Sequence, residues 1–375
     1  MSAVAPTPRR AVRPAPATPR LALLGTGTVG SAFVHRYQVL AGRGLRLPTF
    51  IWLANSRTAL ACGKAPDAAL AQACRAERRD PAAPPRDPGL RGSSPGLQPW
   101  AETEALRAGD VLVDATASEG VANWHAEWLA RGVHVVTANK LGRGAALARA
   151  QAIEESRALS GAGYGDSATV GAGLPLLSSV RALVAGGDHI HAVEGVLSGS
   201  LAWLFHHFDG QVPFSALVRR ARERGYTEPD PRVDLSGEDV RRKLLILARS
   251  AGMPLEARRV QVQSLVPPAL AALPAAAVDG QLETLDAALA PALQQARDDG
   301  LCLRFVARFD ADGASVGLRA LPAAHPLCGG AGTDNRVAIH SDRYREQPLL
   351  IQGPGAGADV TAAALLDDVL RVVDP

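Results

Sequence analysis

The sequence predicts an α/β fold: a doubly wound, mostly parallel sheet followed by a second α+β domain. Three observations carry that reading. Short apolar runs alternate with helical stretches up to about residue 165, a glycine-rich turn follows the first of those runs, and beyond residue 166 longer helices and paired strands take over. A chain of 375 residues can bury two cores. We therefore divide it into a tail at 1–19, a doubly wound domain at 20–165 and a second α+β domain at 166–344, with 345–375 beyond it. The chain is 47% hydrophobic but has no apolar run long enough to span a bilayer, which excludes a membrane span. A net charge of +3 with dispersed basic residues excludes a nucleic-acid surface. Cys62, Cys74, Cys302 and Cys328 have neither metal nor redox spacing, which suits a reducing cytoplasm.

Residues 1–19 are Ala, Pro and Arg without an apolar core, so they read as a disordered tail and not as a secretory signal. Residues 21–24 form a buried strand. It runs into Gly25, Thr26, Gly27, Thr28, Val29 and Gly30, and then into a helix at 31–41. Strand, GxGxxG and helix in that order make a Rossmann-type dinucleotide site, because glycines permit the tight turn and the helix N-terminus offers N–H groups to a pyrophosphate. A second strand at 50–54 ends in Asn55, Ser56 and Arg57. An acid that would hold an unphosphorylated ribose is missing there, and Arg57 with Ser56 suits the 2′-phosphate of NADP, with NAD as the alternative cofactor. Residues 60–100 are the least informative: Lys64 reads as a surface residue and 75–91 as a surface excursion.

Order resumes with a strand at 111–113, a helix at 121–130, a strand at 133–137 and a helix at 143–159. Parallel units of this kind bind ligands beyond the carboxyl ends of their strands, which is where Thr116, Ser118 and Lys140 fall. In the second domain a glycine turn at 169–175 opens a helix, and 195–205 pass from strand to helix. His206 and His207 have no partner at metal spacing. The stretch 255–300 reads as helix, 301–309 and 314–320 as an antiparallel pair, and 349–361 as strand, glycine turn and helix.

The segment 221–243 is chemically the densest. Pro229 and Pro231 stop the preceding helix, and Ser236 with Asp239 has the spacing of a capping box opening a new one. On that helix Asp239 and Lys243 are four residues apart on one face, beside the apolar stripe Val240, Leu244 and Leu247. Glu238 and Arg242 form a second, solvated pair. The chain has 40 Lys+Arg, but the only lysines are Lys64, Lys140 and Lys243. Arginine keeps its proton at working pH whereas lysine can give it up, so the few lysines retained are candidates for proton chemistry.

The same segment resembles the signature of homoserine dehydrogenases, A-x3-G-aromatic-T-x2-D-P-x2-D-L-x-G-x-D-x3-K. The matching positions are Ala221, Gly225, Tyr226, Thr227, Asp230, Pro231, Asp234, Leu235, Gly237, Asp239 and Lys243. The turn Thr137-Ala138-Asn139-Lys140 and the stretch 195–205 are similar to the same family, particularly the dehydrogenase portion of the bifunctional aspartokinase–homoserine dehydrogenases. The resemblance implies NAD(P)H-dependent, reversible reduction of L-aspartate 4-semialdehyde to L-homoserine, in threonine and methionine synthesis, by a homodimer. It implies that Lys243 donates the proton with Lys140 beside it, and that Glu228 and Asp239 hold the substrate with Asp234 in support. It also implies that 345–375 complete a nucleotide-binding domain at 20–165, with Gly357 approaching the cofactor, and that 166–344 form a catalytic and dimerisation domain. The turn at 170–174 resembles one whose carbonyls, here those of Val170, Ala172 and Leu174, hold a monovalent cation such as sodium; Ser167 replaces a glutamate that some members add, which leaves the ion weakly held or absent. Two rival readings are another Rossmann oxidoreductase on a small amino-acid aldehyde, such as a semialdehyde dehydrogenase acting through a cysteine thioester, and a catalytically silent NADP-binding sensor.

Overall fold

The computed structural model describes residues 18–63, 65–79, 105–330 and 332–374. The expected tail thus lies almost wholly outside the described residues, as do Lys64 and most of the excursion at 75–91.

The first sheet is built from apolar runs too short for helices: β1 (Arg20–Leu24), β2 (Thr49–Ala54), β3 (Ala59–Ala61), β4 (Val111–Asp114), β5 (His134–Thr137) and β6 (Tyr164–Gly165). Their order is β3-β2-β1-β4-β5-β6, parallel throughout except for β3, which returns antiparallel on β2. Alternation along β1 shows both faces covered. Leu21 and Leu23 join one core with Phe33, Val34, Leu365 and Leu366, while Ala22 and Leu24 join another with Trp128, Leu129 and Ile153. The covering helices are α1 (Thr28–Gly42), α2 (Pro66–Arg79), α3 (Glu119–Asn123), α4 (His125–Ala130) and α5 (Leu147–Ser160). Strand order reverses between β1 and β4, so the crevice of this doubly wound sheet opens at the Gly25–Gly30 turn.

The second sheet has the order β12-β11-β7-β9-β10-β8. Its strands are β7 (Ile190–Val196), β8 (Val260–Val262), β9 (Leu301–Asp310), β10 (Gly313–Pro322), β11 (Asp334–Ser341) and β12 (Leu349–Pro354). Its pairings are antiparallel apart from β8 with β10. Helices α6 (Leu176–Ala185), α7 (Gly199–His207), α8 (Phe214–Glu223), α9 (Arg232–Leu235), α10 (Glu238–Ser250), α11 (Pro268–Ala271) and α12 (Thr284–Asp298) accompany it. The stripe Val240, Leu244 and Leu247 of α10 is buried in this core. The last helix, α13 (Ala358–Val373), returns to the first sheet and packs on α1.

Several expectations need correction. The strand at 349–351 belongs to the edge of the second sheet, so of residues 345–375 only α13 completes the nucleotide layer. The helix foreseen at 121–130 breaks at Trp124, and the one foreseen at 143–159 starts only at Leu147, leaving residues 140–145 as a turn. The alanine-rich stretch 255–300 contains the short strand β8. The prolines at 229 and 231 do not end α8, which stops earlier, at Glu223, with Gly225 at φ +69° just beyond it; Pro231 instead caps the one-turn helix α9. Ser236 does not form the capping box: Gly237, at φ +77°, precedes α10, and the Ser236 hydroxyl accepts only the Glu238 N–H at 3.2 Å. This leaves the Asp239 carboxylate available elsewhere. Glu238 pairs with Arg241, not Arg242, at 2.5 Å.

Leu365 is fully buried on α13 while Asp367 points to solvent. Leu365→Ala should lower the unfolding free energy by about 2–5 kcal/mol and Asp367→Ala by under about 0.5 kcal/mol, as read by urea titration. Equal effects would contradict this helix phase.

Candidate active site

The turn between β1 and α1 can be built only from glycine at two points. Gly25 has φ +96°, and a Cβ there would lie 2.7 Å from the Ala115 carbonyl oxygen. A Cβ on Gly30 would lie 1.9 Å from the Gly25 oxygen. At Gly27 nothing lies within 4 Å of the same position, and no side chain caps the helix that begins at Thr28. Val29 sits in its first turn. An open cradle ending in uncapped N–H groups fits a pyrophosphate. Thr26 is buried, and its hydroxyl accepts from the Asn55 amide at 2.9 Å. The Asn55 side-chain oxygen accepts the N–H groups of Arg57 (2.9 Å) and Thr58 (3.1 Å). Asn55 is therefore committed to shaping the β2 loop; Ser56 is exposed and Arg57 half-buried at its rim.

Next along the crevice, Thr116 takes the Ser118 N–H on its hydroxyl, and Ser118 caps α3 by accepting from Val121. Behind them lies a buried polar network that sequence reasoning missed. Asp114 at the end of β4 accepts from the Thr116 N–H (2.9 Å), the Asn139 amide (3.0 Å) and His125 Nε2 (2.9 Å). The other His125 nitrogen meets the Tyr164 hydroxyl at 3.0 Å. With Nε2–H donating to the carboxylate, Nδ1 accepts the tyrosine proton. Asn139 also donates to the Ser118 carbonyl at 2.8 Å, so the network fixes the turn carrying Lys140.

Lys140 and Lys243 meet at one carboxylate. Asp239 Oδ1 is 3.3 Å from Lys140 Nζ, and Oδ2 is 2.8 Å from Lys243 Nζ. Burial opposes ionisation of Asp239, but the charge of Lys243, followed by that of Lys140, outweighs it and holds the carboxyl well below its usual range. Lys243, with 10% of its side chain exposed, also donates to the Leu197 carbonyl at 2.7 Å. Lys140, at 34%, faces the crevice more openly.

Asp234 lies beside this cluster. It accepts from Ser200 Oγ at 2.7 Å and from the Glu228 N–H at 2.9 Å. Burial pushes its carboxyl upward, and the charge of Asp239 adds to that. The Glu228 side chain is exposed and makes no ion pair among the described residues; it is held near the cluster through its backbone. Leu197 and Ser200 had no assigned role, although both lie in the 195–205 stretch.

At the turn 170–174, Ala172 has φ +51°, the one positive φ of a non-glycine among the described residues. The Leu174 carbonyl accepts the Leu176 N–H at 2.8 Å. Ser167 is turned away, with its hydroxyl donating to Asp368 at 2.9 Å. The turn therefore offers carbonyls and no carboxylate. Gly357, at φ +129°, is exposed at the N-terminus of α13. His207 stacks on Trp203 at 4.3 Å, and no metal-holding cluster of His, Cys, Asp or Glu occurs among the described residues. Burial pushes the Cys62 thiol up to about 12 and raises that of Cys328, which argues against a thioester route through either.

Comparison with known proteins identifies the family. The family model "Homoserine dehydrogenase" matches residues 175–370 and "Homoserine dehydrogenase, NAD binding domain" residues 25–162. The Escherichia coli bifunctional aspartokinase/homoserine dehydrogenase 2 is 46% identical over 266 residues, which cover 70% of this chain and 32% of that protein. The chain thus spans about a third of the length of the bifunctional relatives. Saccharomyces cerevisiae homoserine dehydrogenase is 38% identical over 70% of this chain and 75% of its own. A Candida auris crystal structure of unknown function superposes with TM-score 0.79 at 33% identity, covering 94% and 97% of the two chains. A hyperthermophilic archaeal homoserine dehydrogenase in complex with NADPH shares the fold at TM-score 0.67, 20% identity and coverage of 94% and 97%. Two matching domain models and a relative covered over three quarters of its length establish that this chain belongs to the homoserine dehydrogenase family.

Proposed function

We propose that the chain catalyses the reversible, nicotinamide-dependent reduction of L-aspartate 4-semialdehyde to L-homoserine. The observation that carries this reading is the pairing of both crevice lysines with Asp239 at the mouth of a dinucleotide cradle. Bound in that cradle, the dihydronicotinamide supplies a hydride to the aldehyde carbon. The residues of the chain must then orient the aldehyde and manage one proton. An ammonium beside the carbonyl oxygen stabilises the negative charge that develops there and hands over a proton. Lys243 is the donor in this reading, because Asp239 and the Leu197 carbonyl fix its nitrogen. Lys140 polarises the same oxygen.

The substrate ammonium falls to Asp239 and Glu228, with Asp234 holding the Glu228 loop. Gly25, Thr26, Gly27, Thr28, Val29 and Gly30, with Thr116, Ser118, Lys140 and Gly357, form the cofactor wall. Ser56 and Arg57 select NADP by meeting its 2′-phosphate, and Asn55 sets their loop. The carbonyls of Val170, Ala172 and Leu174 would hold a sodium ion weakly, as hard oxygen ligands without a counter-charge. A homodimer paired through the second domain, a cytoplasmic location and a role in threonine and methionine synthesis belong to the same proposal.

The test is absorbance at 340 nm with homoserine and NADP+. Turnover is expected; its absence with folded, cofactor-saturated protein would leave the silent-sensor reading. Lys243→Arg should keep the charge and the fold while losing at least about a hundredfold in kcat. Near-normal rates in that variant would refute the donor role. Arg57→Ala should weaken NADPH more than NADH in fluorescence titrations, and equal losses would remove the 2′-phosphate contact.

A further inference from the structure

A cavity of about 390 Å³ opens between the two domains and is lined from both. Arg143 and Arg157 enter it from the nucleotide layer, and Arg181 and Arg249 from α6 and α10. Tyr164 and Ser250 complete its wall. None of these side chains touches substrate or cofactor in the proposed reduction.

Direct ion pairs leave one guanidinium over, although Glu256 acts on Arg249 and Asp368 on Arg181 through space. Asp166 lies between Arg143 (3.3 Å) and Arg181 (2.7 Å), and Glu154 joins Arg143 (3.4 Å) to Arg157 (3.0 Å). Three of the four guanidinium groups thus share two carboxylates. Arg249 has neither: among the described residues its donors meet only the carbonyls of Leu255, Arg143 and Ala145. Burial pushes the Arg249 guanidinium down to about 10. Arg143 has 8% of its side chain exposed, and its Nε has no acceptor among the described residues. A nearly buried N–H without a partner is costly unless something fills the role.

We infer that this cavity binds a small dianion, phosphoryl or dicarboxylate, seated on Arg143, Arg157, Arg181 and Arg249. Planar guanidinium forks match such oxygens, and the Ser250 hydroxyl, which accepts from Arg181 at 3.3 Å, keeps its own proton to donate. The site also touches the reacting centre mechanically. Arg249 clasps the turn that follows Lys140, and its own helix carries Asp239 and Lys243. An occupant that draws on Arg249 and Arg143 therefore shifts the spacing of the two lysines.

The test uses the full chain saturated with NADP+, so that the glycine cradle is already filled. Inorganic phosphate and succinate are titrated separately against sodium chloride of equal ionic strength, reading the thermal midpoint. One of them should raise the midpoint saturably beyond chloride, and which one identifies the source of the dianion. Arg157→Glu, a change at the half-exposed rim, should weaken that response about tenfold or more. No rise with either anion, or a rise that Arg157→Glu leaves unchanged, would overturn the site whatever the activity proves to be. A second readout rests on the proposed reduction: the same anion should change the KM for homoserine. Saturable binding with unchanged steady-state constants would overturn the coupling.

Discussion

The arrangement depends on the Asp239 carboxylate lying between two ammonium groups. Lys140 and Lys243 come from distant parts of the sequence, and two like charges brought together repel. A shared carboxylate turns that repulsion into attraction on both sides, at 3.3 and 2.8 Å. The helix supplies one half of the contact without tertiary help, since residues four apart share a face. The other half needs Lys140 to be delivered from a different domain.

That delivery is mechanical. Gly144 has no room for a side chain, because a Cβ would sit 2.6 Å from the Lys140 carbonyl and 2.9 Å from that of Arg242 on α10. The turn after Lys140 is therefore pressed directly on the helix that carries Lys243. Arg249, one and a half turns further along, holds the same turn through the carbonyls of Arg143 and Ala145. On the nucleotide side, the Asp114–His125–Tyr164 chain and Asn139 fix the start of the turn from within the sheet. Buried polar groups of this kind cost stability unless each is satisfied, and here each contact also fixes a position of the lysine backbone. The interface between domains and the reacting centre are one construction.

Much of this was legible in the sequence, for local reasons. The strand, glycine turn and helix at 21–41 announce themselves through period and residue type, and α1 simply starts three residues earlier than expected, at Thr28. The scarcity of lysine singled out Lys140 and Lys243 before any contact was known. What escaped notice depends on distant partners. Residues 349–354 pair with β11 in the second sheet, and nothing within that run distinguishes this from a strand of the first. His125 lies in what reads as an ordinary helix, and its meaning comes from Asp114 and Tyr164, contributed by two other strands. Asn55 looked like a cofactor contact because of its position at the end of β2, whereas its amide and carbonyl are used within the protein. The capping role given to Ser236 failed because Gly237 takes a left-handed turn first.

The central claim is that the two lysines work as a unit through Asp239. A double-mutant cycle with Lys140→Met and Lys243→Met, read as kcat/KM for homoserine, tests it most directly. The account predicts that the double variant loses little more than the more damaging single one. Losses that multiply, as for two independent groups, would contradict it.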